Sequence, residues 1–125
     1  MNERLTSKAL TFTVGAGATV KSDPIAIGAL QPLGMFSLQV VVTGDGTAKI
    51  EYELSNYETT AVAGSFVTPS DADDIATGLT KTSGSGGDGK DFLSFSPKVC
   101  QNMKIKVTET GEANPVVVTA MLVTQ

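Results

Sequence analysis

The sequence predicts an all-β protein, an antiparallel β-sandwich of about eight or nine strands. Apolar and polar residues alternate in several short runs, turn residues recur between these runs, and no convincing amphipathic helix is present. The composition agrees, because β-branched Thr suits a pleated surface, Gly suits turns, and only 18% of the residues are charged. Jelly-roll and immunoglobulin-like topologies both fit this pattern.

The length of 125 residues predicts a single domain that follows a short polar arm. Residues 1–9 are assigned to the arm and residues 10–125 to the sandwich. A chain of this length buries roughly two thirds of the surface that it exposes when unfolded, which is enough for a substantial core. The arm could be flexible or could attach to a neighbouring subunit.

Residues 34–57 are expected to form the central β-hairpin, with Gly44-Asp45-Gly46 as a three-residue loop. A two-residue loop would mix apolar and charged side chains on one face, and a slip of one residue reverses every side chain. Gly46 is expected to adopt the left-handed conformation that closes the loop. The expected pairs on the buried face are Phe36/Leu54, Leu38/Tyr52, Val40/Ile50 and Val42/Ala48.

The other strands are expected to be short and separated by Gly, Pro and Asp turns. They cover residues 10–14, 18–21, 25–27, 66–67, 75–79, 92–95, 103–107 and 116–124. Residues 80–91, TKTSGSGGDGKD, are predicted to be the most flexible stretch of the chain.

The last strand is apolar on both faces. Alternation places Val116, Val118, Ala120 and Leu122 on one face and Val117, Met121 and Val123 on the other. Two interpretations remain open: a central strand covered on both sides by its own domain, or a strand whose second face meets another subunit. The candidate interface residues are therefore Val117, Met121 and Val123, together with Leu5 in the arm.

No catalytic, metal or cofactor site is predicted. The chain contains no histidine and a single cysteine, which excludes Ser/His and Cys/His nucleophile pairs and a zinc site. Cys100 is expected to be a buried, inert thiol. Glu51 and Glu53 share the solvated face of one strand, which is an ordinary surface pattern. The acidic residues Asp71, Asp73 and Asp74 are read as a solvated turn, since their spacing is not that of an EF-hand loop.

The glycine-rich loop at residues 84–91 satisfies the pattern GxGxxG without its structural context. A phosphate-binding loop needs a buried strand before the glycines and a helix N-terminus after them. Here a polar segment precedes the loop and a short Phe/Ser strand follows it. A simple loop is expected.

Charge and hydropathy argue against nucleic acid and membrane partners. The formal net charge is −4 and the nine basic residues are scattered, whereas a nucleic-acid binder needs a basic stripe. No apolar run is long enough to span a membrane, and the N-terminal residues lack the apolar core of a signal peptide. The lone cysteine is compatible with synthesis in a reducing compartment.

From residue 34 onward the sequence resembles a family. The segments FSLQVVVTGDGTAKIEYELSN, DADDIATGLT, GSGGDGKDFLSFSP and NMKIKVTETG, with the closing valine-rich strand, are similar to small all-β virion proteins of tailed bacteriophages. The resemblance covers residues 34–125 and transfers no binding or catalytic residue.

The resemblance implies a virion component made in the bacterial cytoplasm: a capsid decoration (cement) protein, a head fibre or a tail part. A decoration protein is the leading expectation, as a homo-oligomer, with a trimer favoured, bound to the major capsid protein. The alternative is a tail or fibre module that recognises host-surface glycan. The features that would distinguish it are an exposed Tyr57 and calcium bound near residues 71–74. A hydrolase with paired carboxylates is the least favoured reading.

Overall fold

A computed structural model describes residues 6–27, 35–57, 65–70, 75–97 and 100–124. The described residues contain nine strands and no helix. The strands are β1 (Thr6–Val14), β2 (Thr19–Lys21), β3 (Ile25–Ala26), β4 (Phe36–Gly44), β5 (Ala48–Ser55), β6 (Ala76–Leu79), β7 (Lys90–Phe95), β8 (Asn102–Glu109) and β9 (Val116–Thr124).

The strands form two antiparallel sheets that pack face to face, which confirms the predicted β-sandwich. Sheet I has the order β1-β9-β4-β7. Sheet II has the order β2-β8-β5-β6, and β3 also pairs with β8. Alternate residues of both sheets point into a common core that contains Phe12, Leu38, Ile50 and Ile105, all fully or almost fully buried.

The strand order resolves the topology that the sequence left open. The chain folds as one long hairpin whose nested pairs are β5–β6, β4–β7, β2–β8 and β1–β9. Successive pairs alternate between sheet II and sheet I. This nesting is the jelly-roll arrangement of two interlocked Greek keys, and it differs from the immunoglobulin order.

The predicted central hairpin is wrong. β4 lies in sheet I and β5 in sheet II, so Phe36 pairs with Phe95 and Thr124 and not with Leu54. The predicted buried face is nevertheless confirmed, because the apolar residues of the two strands face each other across the core. An alternating pattern fixes which side chains are buried, and it is satisfied equally by side-by-side pairing and by sheet-on-sheet packing. The buried residues are Phe36, Leu38, Val40, Val42, Ala48, Ile50, Tyr52 and Leu54.

The crossing from β4 to β5 explains the glycines that suggested a hairpin loop. The backbone passes directly beneath the turn between β8 and β9, and the Gly46 N–H donates to the Pro115 carbonyl at 3.0 Å. A Cβ on Gly46 would lie 2.5 Å from the Asn114 carbonyl oxygen. The positive φ belongs to Gly44 (90°) and not to Gly46, so that part of the prediction was also wrong.

The shorter elements are confirmed with small shifts of their ends. The expected strand at 66–67 is a single bridge between Val67 and Leu54. β1 begins at Thr6, so residues 6–9 of the predicted arm are paired with β9. The rest of the arm lies outside the described residues.

The glycine-rich stretch forms a series of tight turns over residues 80–89, and its last two residues begin β7. The Gly89 N–H donates to the Ser83 carbonyl at 2.8 Å, and Ser83 in turn donates to the Thr80 carbonyl at 3.0 Å. Gly84 has a φ of 92°, and a Cβ there would collide with the Lys90 carbonyl oxygen. A strand follows these turns, which confirms that the loop lacks the context of a phosphate site.

Candidate interaction surface

The outer face of sheet I is built from the alternate residues that do not enter the core. The pairing registers place these side chains in cross-strand rows. The central row runs Ala9, Met121, Gln39, Phe92. The rows on either side are Ser7, Val123, Ser37, Ser94 and Thr11, Thr119, Val41, Lys90, and the last row is Thr13, Val117, Thr43.

This outer face is almost free of charge. Lys90, at its margin on edge strand β7, is the only charged residue among the described side chains of the face. Phe92 is 66% exposed and Met121 is 40% exposed, so both present large apolar side chains to solvent. Single exposed apolar residues are normal on soluble proteins, but a continuous uncharged sheet face indicates an interaction surface.

Three of the predicted interface residues lie together on this face. Val117, Met121 and Val123 occupy three of the four outward positions of β9, with Thr119 at the fourth, while the opposite positions of that strand are buried. β9 is central in sheet I, as one interpretation required. On its outer face Thr119 and Met121 are exposed, and Val117 and Val123 are partly exposed. Leu5 lies outside the described residues.

Sequence reasoning missed Phe92 as a surface residue. The pattern Phe-Leu-Ser-Phe gives no alternation that tells the inward from the outward aromatic. The structure shows that Phe95 turns inward, where its ring stacks on Phe36 at 5.5 Å and on Tyr52 at 5.7 Å between centroids. Phe92 points outward from the same strand.

The outer face of sheet II has the opposite character, because it carries a ladder of ion pairs. Lys106 lies between two carboxylates, with its Nζ 3.6 Å from Glu51 and 3.8 Å from Glu53. Lys21 extends the ladder to Glu53 at 3.2 Å, and Lys49 extends it to Glu51 at 3.7 Å. Such paired charges are typical of a solvated surface.

Glu53 departs from the predicted solvated pattern, since it is only 7% exposed. Residues 65–70 lie beside this face, where Lys104 lies 4.5 Å over the Phe66 ring and Lys106 donates to the Thr68 hydroxyl at 3.2 Å. Within the described residues, Glu53 Oε1 has no hydrogen-bond partner. Both carboxylates are engaged by lysines.

Glu109 is a buried acid that the sequence did not single out. Its carboxylate accepts backbone N–H groups of Gly17, Thr47, Gly111 and Glu112 at 2.7 to 3.0 Å. The hydrogen bonds from Thr47 and Gly17 contribute most to lowering its pKa, to about 2, against the opposing effect of burial. The group therefore stays ionised and ties together three loops at one end of the sandwich.

Cys100 is buried, as predicted. Burial raises the pKa of its thiol to about 11, which leaves almost no reactive thiolate at neutral pH. The thiol borders a cleft of about 290 Å³ lined by Leu54, Ser55, Val67 and neighbouring residues. A second cleft of about 280 Å³ contains Lys8, Lys21 and one acid, Asp23. Neither cleft brings two carboxylates together.

Of the two expected marks of a glycan-binding module, the exposed Tyr57 lies within the described residues. Tyr57 is 57% exposed at the end of β5, and its carbonyl accepts the Asn102 side-chain amide at 2.8 Å. Asp71, Asp73 and Asp74 lie outside the described residues. No group of three potential metal ligands occurs within the described part of the chain, and no helix there is long and apolar enough to cross a membrane.

Comparison with known proteins gives little further information. No family model matches the sequence, and no curated protein matches it. Among solved structures, the chain is similar to the crystal structure of the SPBc2 prophage-derived protein YomS, with a TM-score of 0.48 and 11% sequence identity over 99% of this chain and 98% of that chain. A similarity of this size carries no argument about family or function.

Proposed function

We propose that this chain is a structural subunit of a bacteriophage virion, a capsid decoration protein that binds like subunits and the major capsid protein. The observation that carries the proposal is the outer face of sheet I, where Lys90 is the only charge among the described side chains and Phe92 and Met121 are exposed. The assignment to a phage particle rests on the resemblance of residues 34–125 to phage virion proteins. Neither nucleic acid nor membrane is part of the proposal.

The contrast between the two sheets supports a role in assembly. The outer face of sheet II carries paired charges, which are costly to remove from water. The outer face of sheet I carries almost no charge, so covering it with another protein costs little desolvation free energy. The described clefts hold no paired carboxylates, and the only cysteine is an inert thiol. These features favour a binding and packing role over catalysis.

The test is to locate the chain on purified particles of the phage that carries its gene. Gradient-purified particles would be probed with a gold-labelled antibody raised against the chain and viewed by electron microscopy. Label spread over the head supports a decoration protein. Label confined to the tail or fibres supports the alternative, a module that recognises host glycan. Particles that lack the chain contradict both.

The role of the N-terminal arm in binding the capsid is tested with a separate deletion variant. Residues 6–9 pair with β9, so the informative deletion removes residues 1–5, which include Leu5, and leaves β1 intact. If the arm contacts the capsid, occupancy of the head falls while the melting temperature of the free protein stays unchanged. Unchanged occupancy would remove the arm from the proposal.

A further inference from the structure

The outer face of sheet I raises the question of which molecule covers it, and this step rests on the proposed role of that face in assembly. We propose that the occupant is a second copy of this chain, packed sheet on sheet about a two-fold axis that runs parallel to the strands between β9 and β4. The product is a dimer, in place of the trimer that the family resemblance favours.

The charge distribution permits this self-association. The chain has a net charge of −4, so two copies repel unless they meet through a neutral surface. The described side chains of this face include no carboxylate, and the single cation, Lys90, lies at the margin. Two outer faces of sheet II would instead bring two ladders of lysines and glutamates together, and their desolvation would be costly.

The side chains of this face complement those of a second copy under the proposed two-fold rotation. Rotation about this axis places β1 of one copy over β7 of the other, and β9 over β4. Each cross-strand row therefore packs against the same row of the second copy, in reverse order. Phe92, the largest exposed side chain, then lies opposite Ala9 of the second copy, and Met121 lies opposite Gln39. The largest side chain thus meets the smallest one of the row, as close packing requires.

The neighbouring rows also avoid conflict. Lys90 lies opposite Thr11 of the second copy, so the two lysines are at opposite edges of the interface, where each ammonium can reach water. Val123 faces Ser37 in the next row, and Val117 faces Thr43 in the last. Aligned sheets of this kind cross at about 30° and keep roughly 10 Å between them.

The size of the face indicates that all four strands participate. Three nine-residue strands and the six-residue β7 cover on the order of 500 Å² before side-chain relief is added. A stable interface buries about 800 Å² on each partner. A contact through Met121 and its immediate neighbours alone would fall far short of this area, whereas the full-face alignment, with its side-chain relief, comes closest to it.

The experiment combines solution mass with a geometric cross-link. Light scattering after size exclusion is expected to give twice the chain mass of 12.9 kDa. Met121→Lys, which introduces a charge at the centre of the face, is expected to raise the dimer Kd by about 100-fold or more while the circular dichroism spectrum stays unchanged. The matched control is Thr77→Lys, on an exposed strand position of sheet II, which should leave the dimer intact.

The cross-link tests the axis itself. Ser7 and Ser94 end the same row at opposite edges, so Ser7 faces Ser94 of the second copy. A mixture of Ser7→Cys and Ser94→Cys chains should be joined by a short bismaleimide, and Ser7→Cys chains alone should not. A monomer, a trimer, or equal disruption by both lysine variants overturns the dimer. Chain still present on purified particles would then leave the virion proposal standing, whereas particles without it overturn that proposal whatever the mass.

Discussion

The Glu109 carboxylate accepts the Gly17 backbone N–H at 2.8 Å, although the two residues are 92 positions apart in the sequence. The same carboxylate holds Thr47, which begins the segment leading into β5, and the turn after β8. One side chain thus fixes three connections of the jelly roll at a single end of the sandwich. Charge-assisted hydrogen bonds of this kind are stronger than neutral ones.

Glu109→Gln is therefore expected to destabilise the fold strongly. The amide keeps one acceptor oxygen but turns an NH₂ group toward backbone donors, so at least one buried N–H group loses its partner. Thermal denaturation should show a melting temperature lower by more than about 5 °C. Glu112→Gln is the matched control, because that side chain is exposed in the same turn. Equal melting temperatures for both variants would contradict the role assigned to Glu109.

The depressed pKa of Glu109 predicts a specific pH dependence. Its pKa is about 2 in the folded protein and 4.5 as the unperturbed value, so the unfolded chain binds the proton more readily. The stabilising contribution is complete above about pH 4.5 and is lost progressively as the pH falls towards 2. Urea unfolding at pH 7 should separate wild type from Glu109→Gln clearly, and the difference should shrink between pH 4.5 and 2.5. A constant difference would show that the carboxylate charge is not responsible.

The chain crossing between the sheets predicts that a side chain at Gly46 destabilises the fold. A Cβ there would lie 2.5 Å from the Asn114 carbonyl oxygen, and both groups belong to backbone that cannot move freely. Gly46→Ala should lower the free energy of unfolding by about 1–3 kcal/mol. Gly15→Ala is the control, since a Cβ there meets only the Ala18 methyl at 3.9 Å, and its effect should stay within about 1 kcal/mol. Chemical denaturation measures both.

The buried faces of the strands were predictable from the sequence because alternation is a local property. Phe12, Val40 and Ile105 are buried where the pattern requires them. The partner of each strand was not predictable in this way. β4 and β5 are adjacent in sequence and have matching patterns, yet the nested hairpin sends them to different sheets.

The candidate surface was predictable only in part, for a related reason. The doubly apolar β9 revealed Val117, Met121 and Val123, because two apolar faces on one strand are visible in the sequence. The contribution of Phe92 depends on which face of β7 points outward. The Glu109 cluster depends on three loops that meet only after the chain has folded.

The free edge of β7 gives the last prediction. β7 ends sheet I, and the Phe92 N–H on this strand donates to the side chain of the preceding residue, Asp91, at 2.8 Å. Edge strands with free backbone donors can pair with other chains, and charged residues on the edge prevent this. Asp91→Ala both removes the charge and frees the N–H group beside an exposed aromatic ring. The variant should therefore aggregate faster than wild type on mild heating, as measured by turbidity.

The control must separate this edge effect from a loss of net charge. Asp23→Ala removes the same charge at an exposed position in the connection between β2 and β3, away from β7. It should keep the wild-type rate of aggregation, whereas Asp91→Ala exceeds it even when compared at equal distance below the melting temperature. If the two variants aggregate equally fast, repulsion between acidic chains is the protecting factor. If only Asp91→Ala aggregates, its carboxylate keeps the edge of sheet I from adding strands while the outer face of the same sheet stays available for assembly.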